Sequence, residues 1–423
     1  MPTGAPEAGT RLSRRLGLAD AVVIGLGAMI GAGVFAAFAP AAEAAGAGLL
    51  IGLGAAGIVA LCNALSSAQL AALYPESGGT YVYGRRQLGP FFGYLAGFGF
   101  VVGKLASLAA MALTFGSYVA PSFARELGIA AVVALTAVNY RGIAKTAALT
   151  RVLVACVVAT LAFVIAATLL AGEPDVDRLG SVASDSGFRD VLAAGGFLFF
   201  AFAGYARVAT LGEEVREPER TIPRAIVIAL GSTLLLYAGV ALSLVLVLGP
   251  DRVAGSTAPL ALAVEETGLS GADAVVRVGA ALASLGVILS LLAGVSRTIF
   301  AMADEGDLPR RLAAVHPRYR VPHVAELVVG AVVIVVVALV DLRSAIGFSS
   351  VTVLTYYAIA NASAFTLPAE SRRFPRIVAV VGFVGCIALA VALPLESVAT
   401  GFGVLAAGAL AYGARRYGPG RSR

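Results

Sequence analysis

The sequence is poor in charge, cysteine and histidine, and each shortage excludes a class of protein. Only 13% of its 423 residues are charged and 59% are hydrophobic, whereas soluble domains carry about 25% charged residues. This composition excludes a soluble fold, and we predict an all-α polytopic body within a lipid bilayer. A basic surface facing anionic lipid accounts for the net charge of +6, so no nucleic-acid partner is expected.

The few cysteines and histidines are not placed for a disulfide, a metal site or catalysis. Cys62, Cys156 and Cys386 lie in apolar stretches, which indicates small core side chains and neither a disulfide nor a metal site. His316 and His323 fall in one polar loop, so no apolar stretch holds a histidine for a nucleophile–base pair. We therefore expect no enzyme, no catalytic residues, no metal and no cofactor. A channel is also disfavoured, because the apolar stretches lack the polar rings of a pore.

Hydropathy predicts twelve membrane-spanning helices, called spans 1 to 12 below. They lie at 18–43, 47–73, 90–121, 127–139, 147–171, 191–213, 223–249, 275–302, 323–341, 344–367, 376–393 and 397–414. Span 4 is short for a hydrocarbon core about 30 Å thick, so we expect it to borrow residues at one end. The chain then divides into a tail (1–15), a core with spans 1–10 (16–367), two accessory spans (368–414) and a basic tail (415–423).

Positive charges are distributed unevenly between the two sides of these spans. With the N-terminus inside, 22 of the 31 Lys and Arg residues fall in cytosolic segments and 6 in external ones. Lys104, Arg207 and Arg297 fall within spans. The asymmetry agrees with the positive-inside rule and predicts a protein of the inner (cytoplasmic) membrane with both termini in the cytosol.

Span 1 contains glycines that should break its helix. Gly25, Gly27, Gly31 and Gly33 crowd its middle, and each weakens a helix by roughly 1 kcal/mol relative to alanine. Backbone groups freed inside a membrane are tolerated only where they line an enclosed or water-filled cavity. The break therefore predicts a ligand site near the bilayer midplane. The alternative is that the glycines only allow close helix packing.

Span 6 carries a second predicted break, at residues 199–205, five spans after the first. Because spans 1–5 and spans 6–10 begin on opposite sides of the membrane, a repeat that relates them would be inverted. Two broken spans at matching positions are typical of secondary transporters with a midplane site.

The chain also carries nine short motifs. They are Gly27-Ala-Met-Ile-Gly-Ala-Gly-Val-Phe35, Asn139-Tyr-Arg-Gly142, Phe202-Ala-Gly-Tyr205, Glu213-Glu-Val-Arg-Glu-Pro218, Thr221-Ile-Pro-Arg-Ala-Ile226, Ser296-Arg297, Phe300-Ala-Met302, Asp304-Glu-Gly-Asp-Leu-Pro309 and His316-Pro-Arg318. In combination they resemble the amino acid–polyamine–organocation (APC) superfamily, and in particular its bacterial amino acid permeases. The resemblance implies the five-plus-five inverted repeat of the leucine transporter, with spans 1 and 6 broken and spans 11 and 12 added. It also implies amino-acid transport.

An amino acid has a carboxylate and an ammonium, and the two breaks offer partners for both. The N–H groups of the half-helix opened at 30–33 suit the carboxylate, and unwound carbonyls at 199–203 suit the ammonium. Phe202 and Tyr205 could cover the bound side chain, as aromatic residues in span 6 of the family do. The predicted substrate-binding residues are Ala28, Met29, Ile30, Gly31, Ala32, Gly33, Lys104, Phe199, Phe202, Ala203, Gly204 and Tyr205.

Lys104 is a charge in the middle of span 3, and a charge at that depth indicates function by default. Proton-coupled members of the family can carry a lysine in span 5, but the matching position here falls near Val157. We hypothesise that Lys104 binds and releases the coupling proton from span 3, or contacts substrate directly. The alternative is a structural lysine paired with backbone carbonyls or a water-filled cavity.

The remaining polar residues near the spans are predicted to couple or gate transport. Arg207 could pair with Glu213 or Glu214, and those carboxylates could form a cytosolic gate of ion pairs or a plain solvated loop. Further coupling or gating candidates are Ser290 and Arg297. The prediction is a proton-coupled amino-acid permease that works by alternating access on neutral or anionic substrates. Alternatives are an amine, polyamine or other organic-solute exchanger of the same fold, and a transporter-like sensor.

Overall fold

The chain is almost entirely helical in the computed structural model, which describes residues 16–74, 78–142, 147–182, 186–205 and 215–417. The first half forms α1 (Leu18–Met29), α2 (Gly33–Ala36), α3 (Phe38–Ala45), α4 (Leu49–Leu73), α5 (Thr80–Gln87), α6 (Pro90–Val119), α7 (Ala124–Tyr140), α8 (Ala147–Ala171) and α9 (Phe188–Phe202). The second half forms α10 (Pro218–Leu248), α11 (Pro250–Ala254), α12 (Pro259–Glu265), α13 (Ala272–Asp304), α14 (His323–Leu339), α15 (Leu342–Phe365), α16 (Arg376–Ala392) and α17 (Leu395–Tyr417).

The helices confirm the predicted all-α polytopic membrane fold. In the described residues, nine helical stretches are long and apolar enough to cross a membrane, and α14 and α16 are shorter apolar helices. Span 1 is made of α1, α2 and α3, whereas spans 2 to 12 are α4, α6, α7, α8, α9, α10, α13, α14, α15, α16 and α17. Span 4 is longer at both ends than the predicted 127–139. Its helix α7 runs over 17 residues and so covers about 26 Å.

Three short helices outside the spans were not predicted. One is α5, which joins spans 2 and 3, and the others are α11 and α12, which follow span 7. Each begins at or just after a glycine or proline, residues that favour a new chain direction. The hydropathy signal misses them because they are too short to cross a bilayer.

The packing of the spans supports the predicted repeat. Span 2 packs on span 6 as span 7 packs on span 1, and span 3 packs on span 10 as span 8 packs on span 5. Span 1 likewise meets span 5 as span 6 meets span 10. Spans 2 and 7, spans 3 and 8, and spans 4 and 9 pack on one another. Each contact of a span in the first half is therefore repeated by the span five positions later in the second half. This is the pattern that two structurally equivalent halves produce.

Small residues let the two halves approach closely. A Cβ added to Gly52 of span 2 would lie 2.9 Å from the backbone nitrogen of Gly195 in span 6, so the two backbones touch, as is common between membrane helices. Span 11 packs on spans 2, 6 and 10, and span 12 packs on spans 3 and 10. The two added spans thus cover one flank of the core.

Candidate functional site

The helix of span 1 breaks where the glycines predict. It stops at Met29 and resumes at Gly33, and between them Ile30 has a backbone φ of −79° and ψ of 74°, which is not helical. The N–H of Gly31 donates to the Met29 carbonyl at 2.8 Å, closing a tight turn. Met29, Ile30 and Ala32 are at most 3% exposed, so the irregular backbone is enclosed by protein.

Span 6 also loses its helical form at the predicted place. Its helix ends at Phe202, and the chain turns through 203–205 with the N–H of Tyr205 donating to the Phe202 carbonyl at 3.3 Å. Residues 206–214, which include the gating candidates Arg207, Glu213 and Glu214, lie outside the described part of the chain.

The two breaks touch each other. A Cβ added to Gly33 would lie 2.8 Å from the Cα of Ala201, and one added to Gly204 would lie 1.8 Å from the Ala28 carbonyl oxygen. These distances are shorter than any packed side chain allows, so both positions need glycine. The structure therefore brings the predicted segments of spans 1 and 6 together at one point in the bundle.

Three tyrosines that sequence reasoning missed bond the carbonyls around the breaks. The Tyr237 hydroxyl of span 7 lies 2.7 Å from the Met29 carbonyl oxygen and 3.3 Å from that of Ala201. The Tyr357 hydroxyl of span 10 donates to the Ala203 carbonyl at 3.3 Å. In the same way, Tyr118 of span 3 donates to the Phe35 carbonyl at 3.0 Å. A tyrosine inside an apolar span is the signal that could have found them, since a buried phenol usually has a hydrogen-bond partner.

The aromatic residues of span 6 pack against these tyrosines. The ring of Phe202 lies 5.2 Å from that of Tyr237, and the rings of Phe199 and Tyr205 lie 5.8 and 4.9 Å from that of Tyr357. Phe199 and Phe202 are fully buried and Tyr205 is 1% exposed. The described residues around the breaks thus form a closed aromatic wall.

Lys104 is buried in span 3, and none of the described residues gives it a charged partner. It is 8% exposed, and its ammonium lies 6.0 Å from the centre of the Phe100 ring, which packs on Tyr356 at 5.3 Å. No carboxylate of the described ranges forms an ion pair with it. Lys104 and Tyr118 are fourteen residues apart in α6, so they share nearly the same helix face. That face meets span 1 at Tyr118.

Two other candidates, both in span 8, lie at exposed positions. Ser290 is at an exposed position of α13 and its hydroxyl donates to the Gly286 carbonyl of its own helix at 2.9 Å. Arg297 is also exposed, and it interacts electrostatically with Glu326 of span 9. Span 8 itself reaches the first break at Val287, whose Cγ2 would lie 2.4 Å from a Cβ added to Gly31.

Ion pairs join the spans at the end of the bundle where α1 begins, called the basic end here. Arg85 of α5 binds Asp307 beyond span 8 at 3.0 Å, and the Tyr81 hydroxyl donates to the same carboxylate at 2.7 Å. Burial and this hydrogen bond raise the pKa of Tyr81, which keeps it a donor. Arg151 of span 5 binds Asp20 of span 1 at 2.6 Å.

A second set of contacts closes the opposite end of the bundle. Arg343 at the start of span 10 binds Glu43 at the end of span 1, and its guanidinium carbon lies 5.7 Å from the centre of the Phe197 ring in span 6. Arg277 of span 8 pairs with Asp273 of the same helix at 3.0 Å and donates to the Tyr118 carbonyl of span 3 at 3.3 Å. The Arg151–Asp20 and Arg343–Glu43 pairs therefore join span 1 to its neighbours at both ends.

Comparison with known proteins agrees with this architecture. The family model described as amino acid permease matches residues 16–411. The chain is 60% identical over 412 residues to an uncharacterized transporter of Mycobacterium tuberculosis, covering 97% of this chain and 93% of the relative. It is 27% identical to the branched-chain amino acid permease of Bacillus subtilis, over 86% of this chain and 83% of that one. It is also 27% identical to the human cationic amino acid transporter 4, over 85% of this chain and 60% of that one.

Proposed function

This chain belongs to the amino acid permease family and is a multi-pass membrane transporter rather than an enzyme, and we propose that it moves amino acids by secondary active alternating access. The observation that carries this proposal is the contact between the broken segments of spans 1 and 6 inside the bundle. Irregular backbone at that depth is tolerated where it serves a site. The wider bundle then supplies the two halves that rock around it.

The carboxylate of the substrate would bind at the start of the helix that resumes after the first break. Among the described residues, the N–H groups of Ala32 and Gly33 have no backbone hydrogen bond. The helices α2 and α3 follow each other almost without interruption, so their aligned peptide dipoles add positive potential at this point. A carboxylate is the substrate group that such donors prefer.

The ammonium would bind carbonyls of the same region. Tyr237 donates its proton to the Met29 carbonyl and lies 3.3 Å from that of Ala201, while Tyr357 donates to the Ala203 carbonyl. A carbonyl has a second lone pair for another donor. The tyrosines would then hold the carbonyls in place while the ammonium binds. Phe199, Phe202, Gly204 and Tyr205 would form the wall around the substrate side chain.

Lys104 is proposed as the coupling residue for protons. Lys104 forms no ion pair within the described ranges, and a lysine ammonium can release and take up a proton as its surroundings open and close. Its helix also carries Tyr118, which bonds the half-helix after the first break. A movement of span 1 would therefore change the surroundings of span 3.

The ion pairs at the two ends are proposed as gates. Breaking the Arg85–Asp307 and Arg151–Asp20 pairs would free the basic end, and breaking the Arg343–Glu43 pair would free the other. Arg207, Glu213, Glu214 and Arg297 would take part at the basic end, and Ser290 is retained as a weaker coupling candidate. We also propose that the basic end faces the cytosol in the inner membrane, because 22 cationic residues fall in the segments predicted on that side of the spans against 6 in the segments predicted on the other.

The substrates are proposed to be neutral or anionic amino acids. The wall near the breaks consists of apolar and aromatic side chains, and Lys104 adds a positive charge that would repel a cationic substrate. The name of the Bacillus subtilis branched-chain permease favours a substrate with a neutral apolar side chain, whereas the name of the human cationic transporter favours a substrate with a positively charged side chain. A methylthioribose transporter of Bacillus subtilis, 28% identical, keeps an organic-solute exchanger as the second candidate.

Solute counterflow in proteoliposomes tests this function without an imposed ion gradient. Vesicles loaded with one unlabelled amino acid are given the same labelled compound, using leucine, serine, glutamate, arginine and putrescine in turn. We expect transient accumulation of a neutral or anionic amino acid and none in protein-free vesicles. Accumulation of arginine or putrescine alone would contradict the substrate class, and no accumulation by a monodisperse protein would contradict an amino-acid carrier.

A further inference from the structure

A buried polar cluster lies behind the span 6 break, where Tyr205 and Tyr357 meet side chains of spans 2 and 11. Its members come from spans 2, 6, 10 and 11 and are at most 1% exposed. They are Asn63, Tyr205, Tyr357, Asn361 and Cys386. Three of these side chains carry polar atoms without a hydrogen-bond partner, which is costly in a membrane interior, at about 1–3 kcal/mol for each atom.

Hydrogen bonds fix the orientation of both amides. The nitrogen of the Asn361 side chain donates to the Tyr357 carbonyl at 2.9 Å, so this end of the amide must be the NH2 group. The same nitrogen lies 2.5 Å from the Asn63 side chain, and that end of Asn63 must therefore be its oxygen. The Cys386 thiol donates to the same oxygen at 3.3 Å. Neither amide can be turned round without placing like groups together.

The fixed amides leave complementary groups unpaired. The Asn63 side-chain nitrogen is a buried donor without an acceptor, and the Asn361 side-chain oxygen is a buried acceptor without a donor. The Tyr205 hydroxyl lies close to the side chains of Asn63 and Tyr357 but makes no hydrogen bond of normal geometry with either. A donor, an acceptor and a hydroxyl thus remain in one cluster.

The cluster is built tightly around the free oxygen of Asn361. A Cβ added to Gly382 of span 11 would lie 2.4 Å from that oxygen, so a side chain at Gly382 would displace the amide. Span 11 is therefore shaped to admit the polar end of Asn361 rather than to cover it with an apolar group.

We propose that Asn63, Tyr205 and Asn361 bind an internal water molecule that links the span 6 break to spans 2 and 11. Water can accept from the Asn63 amide, donate to the Asn361 oxygen and bond the Tyr205 hydroxyl, and internal waters make about three such bonds. A monovalent cation fits less well, because the free N–H group of Asn63 would repel it. The site does not depend on which substrate the carrier moves.

Radiolytic labelling of the purified full-length protein in H2 18O tests the site. Brief X-ray exposure turns bound water into hydroxyl radicals, which add oxygen to the nearest reactive side chains, and mass spectrometry locates the label. We expect 18O label on Cys386 and Tyr205 although both are buried. Tyr118 and Tyr237 are equally buried but their hydroxyls bond backbone groups of the protein, so they serve as internal controls and should show several-fold less label.

Variants decide whether the label comes from this water. Asn63→Leu/Asn361→Leu removes both amides together, so neither is left unpaired, and it should abolish the label on Cys386 while labelling of exposed residues stays unchanged. Tyr205→Phe should reduce the Cys386 label in a protein that keeps both amides. Cys386 and Tyr205 labelled no more than Tyr237 would overturn the proposal. So would a label that survives the double substitution, or one that sodium chloride displaces.

Discussion

The middle of the bundle and its two ends are held by different kinds of interaction. In the middle, uncharged hydroxyls of Tyr237 and Tyr357 bond backbone carbonyls and are at most 1% exposed. At the basic end, the Arg85 and Asp307 side chains are 30% and 9% exposed. A buried polar group that loses its hydrogen bond destabilises the protein, whereas the members of an ion pair near water can separate and be hydrated at little cost. The middle is therefore suited to hold a fixed shape, and the ends are suited to open.

The strongest test of this comparison enlarges a glycine in the middle. In Gly204→Ala, the new Cβ would lie 1.8 Å from the Ala28 carbonyl oxygen. We expect a loss of about 3 kcal/mol of stability, since overpacking a well-packed site has that cost, together with the loss of counterflow. Thermal unfolding in detergent and proteoliposome counterflow measure the two effects.

The matched control is Gly54→Ala in span 2, where a Cβ meets nothing within 4 Å. There the substitution should be neutral or stabilise the helix by about 0.5–1 kcal/mol. Equal losses of stability and counterflow in the two variants would mean that the close contact between the breaks does not matter more than an open position of span 2.

Lys104→Ala should separate coupling from transport. It removes the charge of span 3 without touching the breaks, so we expect uptake driven by a proton gradient to disappear while counterflow of the same substrate continues. Both are measured in the same proteoliposomes, with the inside made alkaline for the first. Full proton-driven uptake by the variant would refute the coupling role, and loss of counterflow as well would assign Lys104 to substrate binding.

Tyr237→Phe should give a smaller, purely local effect. It removes the hydroxyl that bonds the Met29 and Ala201 carbonyls, which costs about 2 kcal/mol when the carbonyls stay buried. The apparent affinity for substrate in counterflow should fall, because these carbonyls are proposed to bind the ammonium.

Tyr412→Phe is the control for that loss, since the Tyr412 hydroxyl bonds only Arg416 on an exposed part of α17. It should behave as wild type in both assays. A similar fall in substrate affinity in the two variants would argue against a part for Tyr237 in the site.

The breaks could be predicted from sequence, but the groups that support them could not. Glycines that crowd span 1 act locally, so the end of α1 at Met29 follows from the sequence itself. The Tyr237 bond to Met29 joins residues 208 positions apart, and Asn361 meets Asn63 across 298 positions. Such pairs arise only when distant spans pack, and no periodicity along one span records them. Arg85 and Asp307 were missed for the same reason, because each looked like an ordinary charge in a polar loop.

The smallest expected effect distinguishes a gate from a surface charge. Asp307→Asn breaks the pair with Arg85 at the basic end, and we expect it to change the counterflow rate by an amount equivalent to about 1 kcal/mol in low salt. Glu217→Gln is the matched control, because Glu217 and Arg220 form a pair whose side chains are 75% and 77% exposed, and it should change nothing measurable. Since salt screens exposed charges, the effect of Asp307→Asn should shrink as salt is raised. An effect that is equal for both variants, or that does not depend on salt, would mean that the basic end is not held by its charges, and the contrast with the middle would fail.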